Sequence, residues 1–318
     1  MRMKVLFHDT CFDGAASAAV FSRFIRERVA PDAVFSYQGL SHTAGAKPID
    51  PALFDGDQNA IVDFRYSPSP KLTWWFDHHQ SAFQVPGDLA HFQADASGKR
   101  FHDPAAKSCT KFLARVAAEK FGFDPAPLRD LIDWAELIDG AQFPTPGMAV
   151  RLEEPALKLM MVLEANKDPA FIPRVIVALQ TQPLAELVGE PWVQERLAPL
   201  FARHVKNIAR VTEKARMERG VVFFDLADEP LDTLNKFIAY ELFPDARYTV
   251  NVTRSASRAK VSIGSNPWGK EPRTHDLSRI AETYGGGGHP VVAAISFAPD
   301  DLPRARQVAA EIAARLRA

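Results

Sequence analysis

A disulfide framework is excluded at once, because the 318-residue chain has only two cysteines, Cys11 and Cys109. A reducing cytoplasm is the expected setting. No run of about 18 apolar residues occurs, and Met1 to Phe7 passes straight into a short apolar strand without a signal-like region, so a soluble protein with no membrane partner is expected. Charge of one sign is also lacking. The 38 basic and 39 acidic residues leave a formal net charge of −1, so no bulk positive field advertises binding to long duplex nucleic acid. Internal repeats and low-complexity segments are absent from the sequence, which excludes an array architecture.

What is present suffices for two domains with their own cores. Val5–Phe7 reads as a buried strand, and Ala15–Val29, with Phe21, Phe24 and Ile25 on one face, as a helix. Short apolar runs at 33–35, 60–64 and 72–76 read as further parallel strands, and helices are expected over 109–120 and from about Leu128 to Ile138, before a proline-containing break at 143–147. This alternation predicts an α/β doubly wound, mainly parallel sheet. From Glu153 to about Arg219 the spacing is helical, through Leu157, Met160 and Met161 and again through Leu197, Phe201, Val205 and Ile208. After Gly220, strands are expected at 221–224, 248–252 and 260–263, with helices at 231–242 and 276–284. The expected division is a catalytic domain over 1–190, a helical linker over 191–220 and a smaller α/β domain over 221–318.

Polar side chains gather at the ends of the first, third and fourth predicted strands, where an open parallel sheet presents its ligand crevice. They are His8-Asp9-Thr10-Cys11-Phe12-Asp13-Gly14, Asp63 and Asp77-His78-His79. Carboxylates and imidazoles converging there suit a pair of hard or borderline divalent cations, which activate a water for phosphoester hydrolysis when roughly 3.5–4 Å apart. His42, His91, His102, His204 and His275 have no comparable spacing and read as surface or satisfied core residues.

Taken together, His8-x-x-Cys11-x-Asp13-Gly14, Asp63, Asp77-His78-His79 and the late Gly285-Gly286-Gly287-Gly288-His289-Pro290 resemble the DHH superfamily of phosphoesterases with their associated carboxy-terminal domain. The resemblance covers nearly the whole chain. It implies a Mn²⁺-dependent hydrolase, with two ions and with Mg²⁺ or another divalent ion as alternatives. Asp63 would be the carboxylate shared by the ions, with His8 on one, and Asp13 and His78 on the other, completed by Asp139; Asp133 is a rival for that last place. His79 would contact the scissile phosphate or leaving group, with Asp77 orienting a neighbouring imidazole. Where many relatives have Asp-x-Asp-Gly, this chain has Cys11, so the first metal position uses the thiolate, uses Asp9, or is weaker; a small buried thiol beside the site is the bland alternative.

In the second domain, Gly286, Gly287 and Gly288 allow a turn to bring backbone N–H groups to a phosphate, with His289 adding a donor. Relatives often carry an arginine in the preceding strand where this chain has Gly264, which leaves Arg254, Arg258, Lys260 or Asn266 for substrate contact. Trp268 either stacks a base or packs. The expected substrate is a short oligonucleotide or a small cyclic or bisphosphorylated nucleotide; phosphoanhydride hydrolysis, or nucleotide binding without cleavage, are the alternatives. A homodimer stays open.

Overall fold

The computed structural model describes residues 1–41, 47–231 and 233–318. In chain order the strands and α-helices are β1 Arg2–His8, α1 Phe12–Arg28, β2 Val34–Leu40, β3 Gln58–Val62, β4 Leu72–Asp77, α2 Asp88–Gln93, β5 Arg100–His102, α3 Cys109–Phe121 and α4 Arg129–Asp139. Then come α5 Pro146–Arg151, α6 Pro155–Glu164, α7 Phe171–Leu179, α8 Leu184–Gly189, α9 Pro191–Lys214, β6 Arg216–Glu218 and β7 Val221–Asp225. The chain ends with α10 Ile238–Leu242, β8 Tyr248–Arg254, β9 Ala259–Ser265, α11 Leu277–Glu282, β10 Gly287–His289, β11 Val292–Phe297 and α12 Leu302–Arg317. The fold is α/β, as its patterning predicts. Among the described residues no helix is long and apolar enough to cross a membrane.

Contacts divide the chain into two units, residues 1–143 with 153–197, and residues 144–152 with 198–318. In the first, five parallel strands lie in the order β2-β1-β3-β4-β5. The strands β3 and β4 are buried along nearly their whole length because both faces of a parallel sheet are covered. On one face Phe21 and Phe24 of α1 meet Trp74 edge to face, at centroid distances of 6.1 and 5.7 Å. On the other, Trp75 meets Tyr66 at 4.7 Å. The strand order reverses direction between β1 and β3, and such a switch point opens a crevice beyond the carboxyl ends of those strands.

The second unit has a six-stranded mixed sheet in the order β10-β11-β9-β8-β7-β6. Along β8 and β9 the side chains alternate: Val250, Val252, Val261 and Ile263 enter the core with Ile280, Val308 and Ile312, while Asn251, Thr253, Lys260 and Ser262 take the opposite face.

Three local expectations are corrected. The helix expected over 231–242 is confined to α10. Upstream of it, Leu231 N–H donates to the Arg254 carbonyl at 2.7 Å, and the Asn235 side chain accepts from Phe237 N–H and donates to the Ala149 carbonyl, so tertiary bonds displace the helical ones. The break expected at 143–147 does follow α4, but its last two residues already belong to α5: Thr145 Oγ1 accepts from Met148 N–H at 3.2 Å, and Pro146 sits in the first turn, where its missing N–H costs nothing. The glycine run, expected as a tight turn, contains the short strand β10, paired with β11. A Cβ on Gly286 would lie 2.4 Å from the Ala294 carbonyl oxygen, and one on Gly288 2.5 Å from that of Val292, so only glycine admits this backbone approach.

Candidate metal centre and anion pocket

At the carboxyl end of β1 the chain must turn sharply into α1. Thr10 takes a left-handed conformation, φ 52°, and Gly14 faces the strand end so closely that a Cβ would lie 2.2 Å from the His8 carbonyl oxygen. His8 is thereby held at the switch point. Asp63 follows β3 with φ 57°, a strained setting that Asp tolerates better than most residues, and its N–H donates to the Phe76 carbonyl at 2.9 Å. Its carboxylate is 1% exposed and meets His8 Nδ1 at 3.4 Å and His78 Nε2 at 3.5 Å. Neither oxygen accepts a hydrogen bond.

The turn after β4 supplies Asp77, His78 and His79. Buried Asp77 accepts, on one oxygen, from His78 N–H at 2.8 Å, His79 N–H at 3.2 Å and His79 Nδ1 at 2.7 Å. His78 Nδ1 donates to the Ala106 carbonyl at 3.1 Å, which turns Nε2 toward Asp139 at 3.3 Å and Asp13 at 3.8 Å. Asp13, fully buried, also accepts from the first-turn N–H groups of α3, Cys109 at 2.6 Å and Thr110 at 3.0 Å. Those two bonds tie α1 to α3, and a carboxylate with about four lone-pair positions keeps capacity beyond them.

The electrostatics are those of a crowded anionic site. Burial, then Asp63 and Asp139, push Asp13 well above the carboxylate range, and burial and Asp63 likewise raise Asp139. Burial alone would raise Asp63 as well, but the His78 and His8 imidazoles bring it down to about 2. Burial opposes a proton on His78, but Asp63 and Asp13 hold it to about 10. Asp77 raises His79. Burial, Asp63 and Asp13 keep Cys11 a neutral thiol in the absence of a cation.

Three sets of donor atoms lie within 4.8 Å of one another: His8, Cys11 and Asp63; Asp63, His78 and His79; Asp13, His78 and Asp139. Of the two candidate aspartates on α4, Asp139 joins the site, whereas Asp133 is surface-exposed and pairs with Lys111 at 3.8 Å. The Asp63 oxygens without hydrogen bonds, the mutually repelling carboxylates and the His78 tautomer fixed by a backbone carbonyl all fit divalent cations. The remaining histidines are tied into structure: His91 to Tyr66, His102 to the His79 carbonyl, His204 to the Val150 carbonyl and His275 to Thr274. His42 lies outside the described residues. The Ala106 carbonyl and the His102 ring, which fix His78 and the His79 backbone, have no signal in the sequence.

The second unit holds its own open pocket of about 630 Å³. Arg258, Lys260, Lys236 and His289 bring basic side chains to it, β8 and β9 supply Asn251, Thr253 and Ser262, and Gly287 and Gly288 form part of the wall. Burial and then Arg258 depress the Lys260 ammonium. Arg254 and Gly286 do not line the pocket. Asn266 is committed to its own loop, donating to the Pro244 and Ala246 carbonyls and accepting from Trp268 N–H. Trp268 packs on Phe237 at 5.2 Å. The polar alternation Asn251-x-Thr253-x-Ser255 was a usable signal for this face.

Among solved structures the chain is similar to a pGpG-specific phosphodiesterase, PggH, from Vibrio cholerae, with 18% identity, a TM-score of 0.68, and coverage of 98% of this chain and 99% of that one. It is also similar to the DHH domain of a protein assigned to a family of ribosomal proteins, at 15% identity and a TM-score of 0.57, covering 100% of this chain and 88% of that one. The chain has the DHH-domain fold. The same DHH-domain fold aligns with RecJ from Thermus thermophilus in complex with Mn²⁺, at 14% identity and a TM-score of 0.52, covering 99% of this chain and 52% of that one. No protein-family model and no curated protein matches the sequence.

Proposed function

We propose that this chain is a divalent-metal-dependent phosphodiesterase acting on short oligonucleotides or small nucleotides. The observation that carries the reading is the convergence of His8, Asp13, Asp63, His78 and Asp139 on one crevice, with the Asp63 oxygens buried and without hydrogen bonds. Asp63 is the carboxylate shared between two positions, His8 serves one, and Asp13, His78 and Asp139 serve the other. Oxygen and nitrogen donors suit Mn²⁺ or Mg²⁺, and RecJ with the same fold is described in complex with Mn²⁺. Bound there, such cations would neutralise phosphate charge and acidify a water.

The chain's own groups do the rest. His79, held through Nδ1 by Asp77, which favours its protonated form, presents Nε2 as a donor to a phosphate oxygen or to the leaving oxygen. Asp77 fixes its tautomer and direction. In the second unit, Arg258, Lys260 and His289, beside the glycine strand, suit a phosphate group, and the near-neutral net charge favours short ligands over long strands. The pGpG specificity of PggH supports the same substrate class. Two unbridged cysteines and a nucleotide substrate support a cytoplasmic location.

The test is release of mononucleotide, with Mn²⁺ added, from a linear dinucleotide, a cyclic dinucleotide and a nucleoside bisphosphate, with polyphosphate as comparison. Cleavage of at least one nucleotide is expected, lost by at least about 100-fold in Asp63→Asn. Hydrolysis of polyphosphate alone, or dinucleotide binding without cleavage in the unaltered chain, rejects the reading.

A further inference from the structure

We propose that the Cys11 thiolate is a ligand of the cation served by His8 and Asp63, so that the two metal positions differ in chemistry, one with a sulfur donor and one with oxygen and nitrogen donors only. This rests on the metal centre proposed above.

Cys11 occupies the residue before α1, a position where Ser, Thr, Asp or Asn usually spends its side chain on an N–H of the first turn. Its thiol makes no capping hydrogen bond, although the Gly14 N–H lies close enough to favour the thiolate. The turn at Thr10 instead brings Sγ within 4.8 Å of a His8 ring nitrogen and an Asp63 carboxylate oxygen. Asp63 is the independent witness: 1% exposed, it has no hydrogen bond to either oxygen, and its Oδ2 lies 3.4 Å from His8 Nδ1. A cation there satisfies the carboxylate, and the sulfur is within its reach.

The sequence leaves Asp9 as the other donor for this position, and the geometry removes it. Asp9 accepts from Thr10 N–H at 2.9 Å. Its carboxyl packs against β2 where Gly39 has no side chain, since a Cβ there would lie 2.5 Å from Asp9 Cγ. Asp9 belongs to none of the donor groups found among the described residues. Cys109, the other cysteine, is fully buried and donates its thiol to the Phe76 carbonyl.

On binding, the Cys11 S–H bond breaks, an S–metal bond forms, and the proton leaves to solvent. A thiolate favours Zn²⁺, Co²⁺ or Fe²⁺ over Mn²⁺ and Mg²⁺ beyond what imidazole and carboxylate alone would do. The Asp13, His78 and Asp139 position has no such bias. The chain would therefore load a mixed pair from a medium containing both kinds of ion.

The experiment is a Co²⁺ titration of the chelator-stripped full chain, read by its near-ultraviolet sulfur-to-cobalt charge-transfer band and, in parallel, by equilibrium dialysis. The band is expected to saturate with one equivalent of Co²⁺, and to be missing from Cys11→Ser and Cys11→Asp. Cys11→Asp, which restores a carboxylate, should also lose about tenfold or more of the preference for Zn²⁺ over Mn²⁺. Two bound Co²⁺ ions without the band, or a band that survives in Cys11→Ser, overturn the thiolate assignment and leave the metal centre standing. Failure of the unaltered chain to bind Co²⁺ at all overturns both.

Discussion

Asp63 combines two demands that normally exclude each other: a left-handed backbone at φ 57° and a carboxylate 1% exposed with no hydrogen bond to either oxygen. Strain of this kind persists where the surroundings over-determine it, here through the Asp63 N–H bond to Phe76 and the two imidazoles facing the side chain. Separating the demands is a matter of choosing the substitution. Asparagine keeps shape and tolerance of left-handed backbone but loses the charge, whereas alanine loses both. Asp63→Asn should therefore fold normally and lose the rise in melting temperature on adding Mn²⁺. Asp63→Ala should lose it too and be about 1 kcal/mol less stable than Asp63→Asn by urea denaturation in chelator. Equal stability of the two variants would show that the backbone, not the charge, is the easy part of the site. This strain had no counterpart in the sequence, where Asp63 stood out only as a carboxylate after an apolar run.

Between elements, the key junction is the step from β1 to α1, and it shows why the motif His8-x-x-Cys11-x-Asp13-Gly14 has its spacing. The helix must start close enough to the strand end for Cys11 and Asp13 to face the crevice beside His8, and that approach leaves no room at Gly14. Gly14→Ala should destabilise the protein by about 1–3 kcal/mol, because the new methyl meets backbone that cannot give way. Displacing α1 should also weaken Co²⁺ binding, measured on protein that remains folded. A variant as stable as the parent, with unchanged metal affinity, would mean the junction is slack. Elements of this first unit were legible because period and punctuation agree: short apolar runs at 60–62 in β3 and 74–76 in β4, and a start for α3 at Cys109. The later chain was harder. Asn235 trades helical bonds for a tie to the Ala149 carbonyl, far away in sequence, and β10 exists because the β11 backbone lies against its glycines. Local pattern carries neither fact.

For the whole molecule, the site's charges couple stability to pH in a direction that cations reverse. Without a cation, His78 holds its proton to about 10 and His79 is raised too, both above the ordinary imidazole value of 6.5. A group raised on folding adds stability that is complete below its unfolded value and lost as pH climbs through its folded one. Stability in chelator should therefore fall between about pH 6.5 and 10. The raised carboxyls of Asp13 and Asp139 act in the same sense, and Asp63, lowered to about 2, loses its contribution only in strong acid. A divalent cation takes the place of these protons, and its binding strengthens as pH rises because His78 must be neutral to bind it. Melting temperatures at pH 6.5 and 9.5, with chelator and with saturating Mn²⁺, should thus diverge: a drop with pH in the first series, and a flat or rising value in the second. Parallel pH profiles in the two series would mean that no cation displaces the His78 proton, and the crevice would be an ion-pair network rather than a metal centre.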